Sequence, residues 1–257
     1  MAATTVSLIA VPGVPLIRPG DDLAAILIAA IAAADLALRE RDVLVLAQKI
    51  VSKAEGRYVD LADVSPSPRA RRLAEETGKD PRLVEIILGE SDEIVRYRRD
   101  ILIAAHRLGF VMANAGVDQS NIEHPSGDGR VLLLPRDPDG TCAQLRQRLE
   151  AHFGVALAVL INDSFGRAWR NGVVGVALGA SGLPALADMV GEPDLFGRPL
   201  RVTQIALADE IAAAASLVMG QAAEGRPAVL VRGVDWGARP ERPARALIRP
   251  KETDLFR

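Results

Sequence analysis

The chain has 257 residues, 49% of them hydrophobic and 25% charged, with a formal net charge of -2. That length carries one large domain or two lobes sharing an interface, and the near-neutral charge gives no electrostatic case for nucleic acid or an anionic membrane surface. Cys142 is the only cysteine, which excludes an internal disulfide and a Cys-rich metal site and points to a reducing, cytoplasmic setting.

The start, Met1 to Ser7, lacks the basic region and cleavage pattern of a secretory signal. Val6 to Ala10 reads as a first strand, followed by a loop stiffened by Pro12 and Pro15. Asp21 and Asp22 then cap a helix predicted over Leu23 to Arg39. Its apolar run ends at Asp35, short of the ~20 residues that cross a bilayer, so a buried helix is expected. Val43 to Ala47 is a short strand, and Gln48 to Lys53 leaves it carrying two amines and a hydroxyl. Helical patterns follow over Arg69 to Thr77 and Pro81 to Leu88. The charged segment Glu90 to Asp100 leads into Ile101 to Ala105 and Gly109 to Met112, which read as paired strands.

A polar cluster, Asn114 to Asn121, comes next, then a loop over Ile122 to Gly129 and a strand over Val131 to Leu134. Pro138 to Phe153 has helical periodicity. Val155 to Ile161 has the length and branching of a buried strand, and it breaks into Asn162, Asp163 and Ser164 at its expected carboxyl end. Gly172 to Gly182 suits close backbone packing or a bulged strand. Beyond a turn-dense loop at Gly191 to Pro199, Arg201 to Ala206 is expected to be extended and Asp209 to Met219 helical. Ala228 to Arg232 is a late strand ahead of an irregular tail. Strands and helices mix without regular alternation, so the predicted class is α+β, with mixed and antiparallel sheets and two packed lobes.

No phosphate-binding glycine motif, zinc-protease motif or serine-nucleophile elbow is present, and His106, His124 and His152 are scattered. What remains is a set of hard-oxygen and cationic groups at element ends. Asp118 and Asp163, with Ser164, are the donor types Mg²⁺ or Mn²⁺ takes when phosphates complete its shell. Lys53 suits phosphate charge, and Asn121 can donate an amide. Arg167 and Arg170 can clamp carboxylate or phosphate bidentately. Asp in such a Gly-Val-Asp turn also serves plain turn geometry. Trp169 is expected to pack in the core, and Glu55, Asp209 and Glu210 are further acid or base candidates.

Four blocks carry a family resemblance: Gly13 to Ile17, Gln48 to Gly56, Ala115 to Asn121 and Asn162 to Gly172. With Val202 to Glu210 and the tail Ile248 to Phe256, they resemble the coenzyme F420-0:γ-glutamyl ligases, in that family's order and over nearly the whole chain. The resemblance is to the stand-alone form, one ligase domain over residues 1–257 without the C-terminal flavin-binding domain of some relatives. It implies a GTP-dependent enzyme that joins L-glutamate to the carboxylate of F420-0 through an acyl phosphate, with further γ-linked glutamates as an extension. It also implies a homodimer, two divalent cations and a monovalent cation such as K⁺. By the family's pattern Asp118, Asp163 and Ser164 hold the divalent pair, and Val14, Pro15, Leu16, Ile17, Gln48, Lys53 and Asn121 line the GTP site. Gln48 stands where some relatives carry Ser. Gln204 stands where some carry Glu, as a further metal position. The residues alone leave two rivals open, a metal-dependent nucleotide phosphohydrolase and a non-catalytic GTP-binding module.

Overall fold

The structure, a computed structural model, describes residues 4–123 and 129–256. Residues 124–128 of the loop predicted at Ile122 to Gly129, His124 among them, lie outside the described residues. In chain order the first elements are β1 (Ser7–Ala10), α1 (Leu23–Ala33), β2 (Val43–Ala47), α2 (Gln48–Ala54) and β3 (Tyr58–Asp60). There follow α3 (Pro68–Thr77), α4 (Pro81–Gly89), β4 (Ser91–Arg98), β5 (Ile101–His106), β6 (Val111–Ala113) and β7 (Arg130–Leu132). The second half holds α5 (Pro138–Phe153), β8 (Ala158–Arg167), β9 (Arg170–Ser181), β10 (Ala187–Asp188), β11 (Gln204–Ile205), α6 (Leu207–Met219) and β12 (Ala228–Arg232).

The central sheet has the order β1-β12-β2-β8-β9, with β2 and β8 parallel and the other pairs antiparallel. Strands buried on both faces read as continuous apolar runs, and alternate side chains then serve two cores. Leu44, Leu46, Val159 and Ile161 pack against Leu27 and Ile31 of α1, Val51 of α2 and Leu149 of α5. Val43, Val45, Ala158 and Leu160 pack on the other face against Ala208, Ile211, Ala212 and Ala215 of α6. A third core joins α3, α4, β5 and β7 through Ala70, Ala74, Val84, Ile87, Leu102, Ala104 and Val131. The fold is α+β with mixed sheets, as the element pattern predicts.

Four stretches differ from expectation. The first helix stops at Ala33, where Asp35 turns left-handed (φ 52°), six residues before Arg39. Within the charged segment after Glu90, residues 91–98 form β4, a half-exposed strand paired with β5. The largest difference is at Asn162 to Ser164, which do not end β8. The strand runs on to Arg167 because Val173, Val174 and Val176 of β9 pair opposite it. Arg201 to Ala206 is regular only at Gln204–Ile205.

The β8–β9 hairpin carries a bulge that decides which side chains face which helix. Ile161 pairs with Gly179 but Asn162 pairs with Ala177, so Leu178 is the extra residue. Gly179 therefore lies against α5, where a Cβ would sit 2.4 Å from the Pro138 carbonyl oxygen. Gly175 lies against α6, where a Cβ would sit 2.5 Å from the Ala212 carbonyl oxygen. Gly175→Ala is expected to lower stability by about 1–3 kcal/mol through this overlap, read as a fall in Tm. Gly166→Ala, where a Cβ meets nothing within 4 Å, is the control expected to leave Tm unchanged.

Candidate functional site

β1, β2 and β8 run in one direction, so their carboxyl-ward portions and the start of β12 meet along one margin of the sheet. Register makes the meeting close. Ala228 lies opposite Leu46, Ala47 lies opposite Asn162, and the Ala47 N–H donates to Pro227 O at 2.8 Å. Four connections converge there: the loop after β1, helix α2, the 114–121 turn and the 219–227 loop after α6. They enclose a cavity of about 440 Å³ lined by Val14 to Ile17, Gln48, Lys49, Lys53, Asn121, Asn162 to Ser164 and Met219 to Pro227.

Lys49 and Lys53 are one helical turn apart and share a face of α2. Lys49 Nζ lies 2.7 Å from Asp118 Oδ2 and donates to Ser120 Oγ at 2.9 Å. Lys53 Nζ donates to Asn121 O at 2.8 Å. Gln48 is buried, and its Oε1 accepts the Ser52 hydroxyl proton at 2.9 Å, which commits it to its own helix. The 114–121 turn is tight because Asn114, Ala115, Gly116 and Asn121 all take positive φ. Asp118 is held at its end by paired backbone bonds to Leu132 and accepts the Ser120 N–H at 2.7 Å. Asn121 Nδ2 reaches Ala222 O at 3.1 Å, tying this turn to the 219–227 loop.

Alternation along β8 sends Asn162 and Ser164 toward α6 and Asp163 to the opposite face. Asn162 Nδ2 donates to Ser216 Oγ at 3.0 Å, and Ser164 Oγ donates to Gln221 Oε1 at 2.8 Å. Burial pushes the Asp163 carboxyl up to about 6, with the Ser164 N–H and Lys49 only partly offsetting it and the Asp118 charge adding to the rise. Burial pushes Asp118 the same way, but Lys49 and the Ser120 donors outweigh it and hold this carboxyl below its ordinary value. The Lys53 ammonium is lowered by burial and then by Lys49. Lys49, Lys53 and Arg226 share the cavity lining with Asp163 and Glu224, and Asp118 pairs with Lys49 from beside it, so the cleft is rich in charge of both signs.

The donor chemistry fits a hard divalent cation: two carboxylates and a hydroxyl, with room for phosphate oxygens and water. Among the described residues no group of three His, Cys, Asp or Glu side chains gathers for a metal. A cation beside Asp118 and Asp163 would therefore rely on these carboxylates plus oxygens from elsewhere, the Ser164 hydroxyl lying on the other face of β8 with Gln221. Lys49 sits where it can neutralise Asp118 in the cation's place.

Nine expected residues line this cavity: Val14, Pro15, Leu16, Ile17, Gln48, Lys53, Asn121, Asp163 and Ser164. Asp118 adjoins it through Lys49. Arg167 and Arg170 are not brought in. They pair with each other across the exposed hairpin tip, about 13 Å along the strand from Asp163 at ~3.3 Å per residue. Gln204 lies exposed on β11 and does not line the cavity, whereas Gln221 bonds to Ser164. Trp169 is 81% exposed at the hairpin turn instead of packing in the core. Glu55 accepts the Arg136 N–H and the Thr141 hydroxyl, which makes it a structural tie. The sequence reading gave no role to Lys49, Asn162 or the Gly220 to Pro227 stretch. The available signal was Gly220-Gln-Ala-Ala-Glu-Gly225, two glycines with φ of 75° and 65° between a helix and a strand.

Cleft, oxygen donors and amines together suit a charged ligand. The family model described as F420-0:Gamma-glutamyl ligase matches residues 13–233. The chain is 50% identical over 253 residues to a protein of Methanothermobacter thermautotrophicus named coenzyme F420:L-glutamate ligase, covering 98% of this chain and 99% of the relative. Relatives of the same name in Methanopyrus kandleri and Archaeoglobus fulgidus are 50% and 41% identical, covering 94% and 96% of this chain and 93% and 94% of theirs. The chain belongs to the F420-0:γ-glutamyl ligase family.

The Asp163 carboxyl, raised from 3.8 to about 6, gives a pH signature. Between these values the folded protein holds a proton that the unfolded chain releases, so stability falls as pH rises through that window. In metal-free protein, Asp163→Asn is therefore expected to raise stability by on the order of 1–2 kcal/mol at pH 7.5 and to change it little at pH 4. Denaturant unfolding at the two pH values measures the difference.

Proposed function

We propose that this protein is a GTP-dependent ligase that joins L-glutamate to the carboxylate of coenzyme F420-0, releasing GDP and phosphate. The observation that carries the reading is the convergence of four sequence blocks, far apart in the chain, on one cleft containing Asp163, Ser164, Lys53 and Asn121. Family membership and the names of the relatives support the joining of L-glutamate to the coenzyme.

A carboxylate does not react with an amine in water unless it is activated. In this reading the F420-0 carboxylate takes the γ-phosphoryl group of GTP, and the glutamate amine then displaces phosphate from the acyl phosphate. Divalent cations, when bound, supply charge neutralisation on the transferring phosphoryl group. Asp118, Asp163 and Ser164 would hold them. Lys53 faces the nucleotide phosphates, and its lowered pKa, the result of burial and Lys49, marks an ammonium that gains from an anionic neighbour. Val14 to Ile17 give the cleft an apolar wall for a base, with Leu16 80% exposed on it. A monovalent cation and addition of further glutamates belong to the same proposal. So does a homodimer, which rests on the family resemblance. None of the described helices is long and apolar enough to cross a membrane.

The test is GDP release from GTP with Mn²⁺ or Mg²⁺, with and without F420-0 and L-glutamate, together with mass analysis of the cofactor. GDP only when both substrates are present, with a one-glutamate mass gain, is expected. GDP without either substrate would instead identify a phosphohydrolase. Asp163→Ala should cut turnover by on the order of 10²–10³-fold with an unchanged circular dichroism spectrum. Full turnover by a correctly metallated variant would refute the site. Lys53→Ala should raise the KM for GTP by about 10–100-fold, the loss of one charge-assisted contact.

A further inference from the structure

A second cavity, about 200 Å³, lies on the other side of β8. The first cavity uses the β2 flank, through Ala47 and Gln48, and this one uses the β9 flank, through Val176 and Ala177. Val176 is the cross-strand partner of Asp163 and Ala177 that of Asn162, so the linings of the two cavities adjoin across the β8–β9 pair while sharing no residue. Phe165, two residues beyond Asp163 on the same face, forms one wall with Phe110, the two rings edge to face at 6.5 Å. The tail closes the cavity with Leu247, Ile248 and Arg249. This tail block was part of the family resemblance, yet the nucleotide cleft makes no use of it.

Three charged groups line the cavity: Asp209, Arg249 and Asp254. Asp209, in the first turn of α6, accepts the Ala177 N–H at Oδ1 at 2.9 Å, and Oδ2 has no hydrogen-bond partner among the described residues. Burial raises its pKa, the mark of a carboxylate short of a cation. The Arg249 guanidinium makes no ion pair among the described residues and is exposed at the mouth. The cavity is smaller than the ~300–1,000 Å³ clefts that take drug-sized ligands. It is too small for a nucleotide or a three-ring cofactor.

We propose that this cavity is the amino-acid subsite, with Asp209 receiving the ammonium group and Arg249 a carboxylate of an acidic α-amino acid. The inference rests on the ligase reading, which requires an amine beside the carboxylate activated at Asp163. Val176 on this cavity's wall is paired with Asp163 on the cleft's, so an amino acid entering from the β9 flank approaches the activated carboxylate without competing with the nucleotide for one pocket. Phe110 and Phe165 cover the methylene stem.

The test uses the full-length protein and two variants, Asp209→Asn, whose amide oxygen still accepts the Ala177 N–H, and Arg249→Gln. The probes are L-glutamate as substrate and glutarate, which lacks the ammonium group, as inhibitor. Asp209→Asn should raise the KM for L-glutamate by about 10-fold or more and leave the glutarate Ki and the GTP KM unchanged. Arg249→Gln should weaken glutamate and glutarate together, again sparing GTP. A merely structural Asp209 would move both acids and GTP alike, and that result overturns the proposal, as does an unchanged glutamate KM in either variant. If the wild type forms no amide, the ligase reading itself has failed. Calorimetric titration with L-glutamate then decides the subsite: binding weakened by both variants keeps it, and no saturable binding, or equal binding by all three proteins, overturns it.

Discussion

The parallel pairing of β2 with β8 is the constraint on which the site depends. By placing Ala47 opposite Asn162, it sets the first turn of α2 beside the one segment of β8 that carries polar side chains. Lysines and carboxylates from segments over a hundred residues apart then share a cleft without any of them having to sit on a long loop. The antiparallel insertion of β12 between β1 and β2 completes the arrangement. It brings the 219–227 loop in from the opposite direction, so Gln221, Glu224 and Arg226 reach the cleft from that side. A shift of β8 by one residue would turn Asp163 to the α6 face and Asn162 toward α2.

Stability and chemistry pull against each other at this point. Asp163 sits where burial makes its charge costly, and the two buried apolar layers on either side of the sheet are what tolerate that cost. The Lys49 charge offsets part of it while its ammonium pairs with Asp118. In the proposed function a cation at the cleft would take over that ammonium contact.

The sequence made the buried skeleton legible because its signals are local. Val43 to Ala47, Ala228 to Arg232 and the capped stretch Pro138 to Phe153 fall where the periodicity places them. It failed where the outcome depends on a partner elsewhere. Asn162 to Ser164 look like a strand end until Val173 to Val176 are known to lie opposite, and the charged run 91–98 becomes a strand only because β5 is its neighbour. In the site, the residues with distinctive chemistry in quoted blocks reached the cleft, while proximity in sequence misled for Arg167 and Arg170. A strand moves side chains apart faster than a helix does. The Gly220 to Pro227 loop was silent because its polar residues, Gln221, Glu224 and Arg226, stand singly in a turn-rich stretch where such residues are commonplace.

The extra residue at Leu178 bears on how this chain can change length. Losing Leu178 would erase the bulge and leave Asp163 opposite Val176 and Ser164 opposite Gly175. Losing one residue from 173–177 with the bulge kept would slip the outer pairing by one and drive a valine against the α6 backbone, where only Gly175 fits. Single-residue changes in this strand are thus restricted to the bulge or to the exposed tip at Ala168–Trp169. The hairpin can drift in composition at its tip while its stem keeps a fixed count, like a ruler anchored at one end.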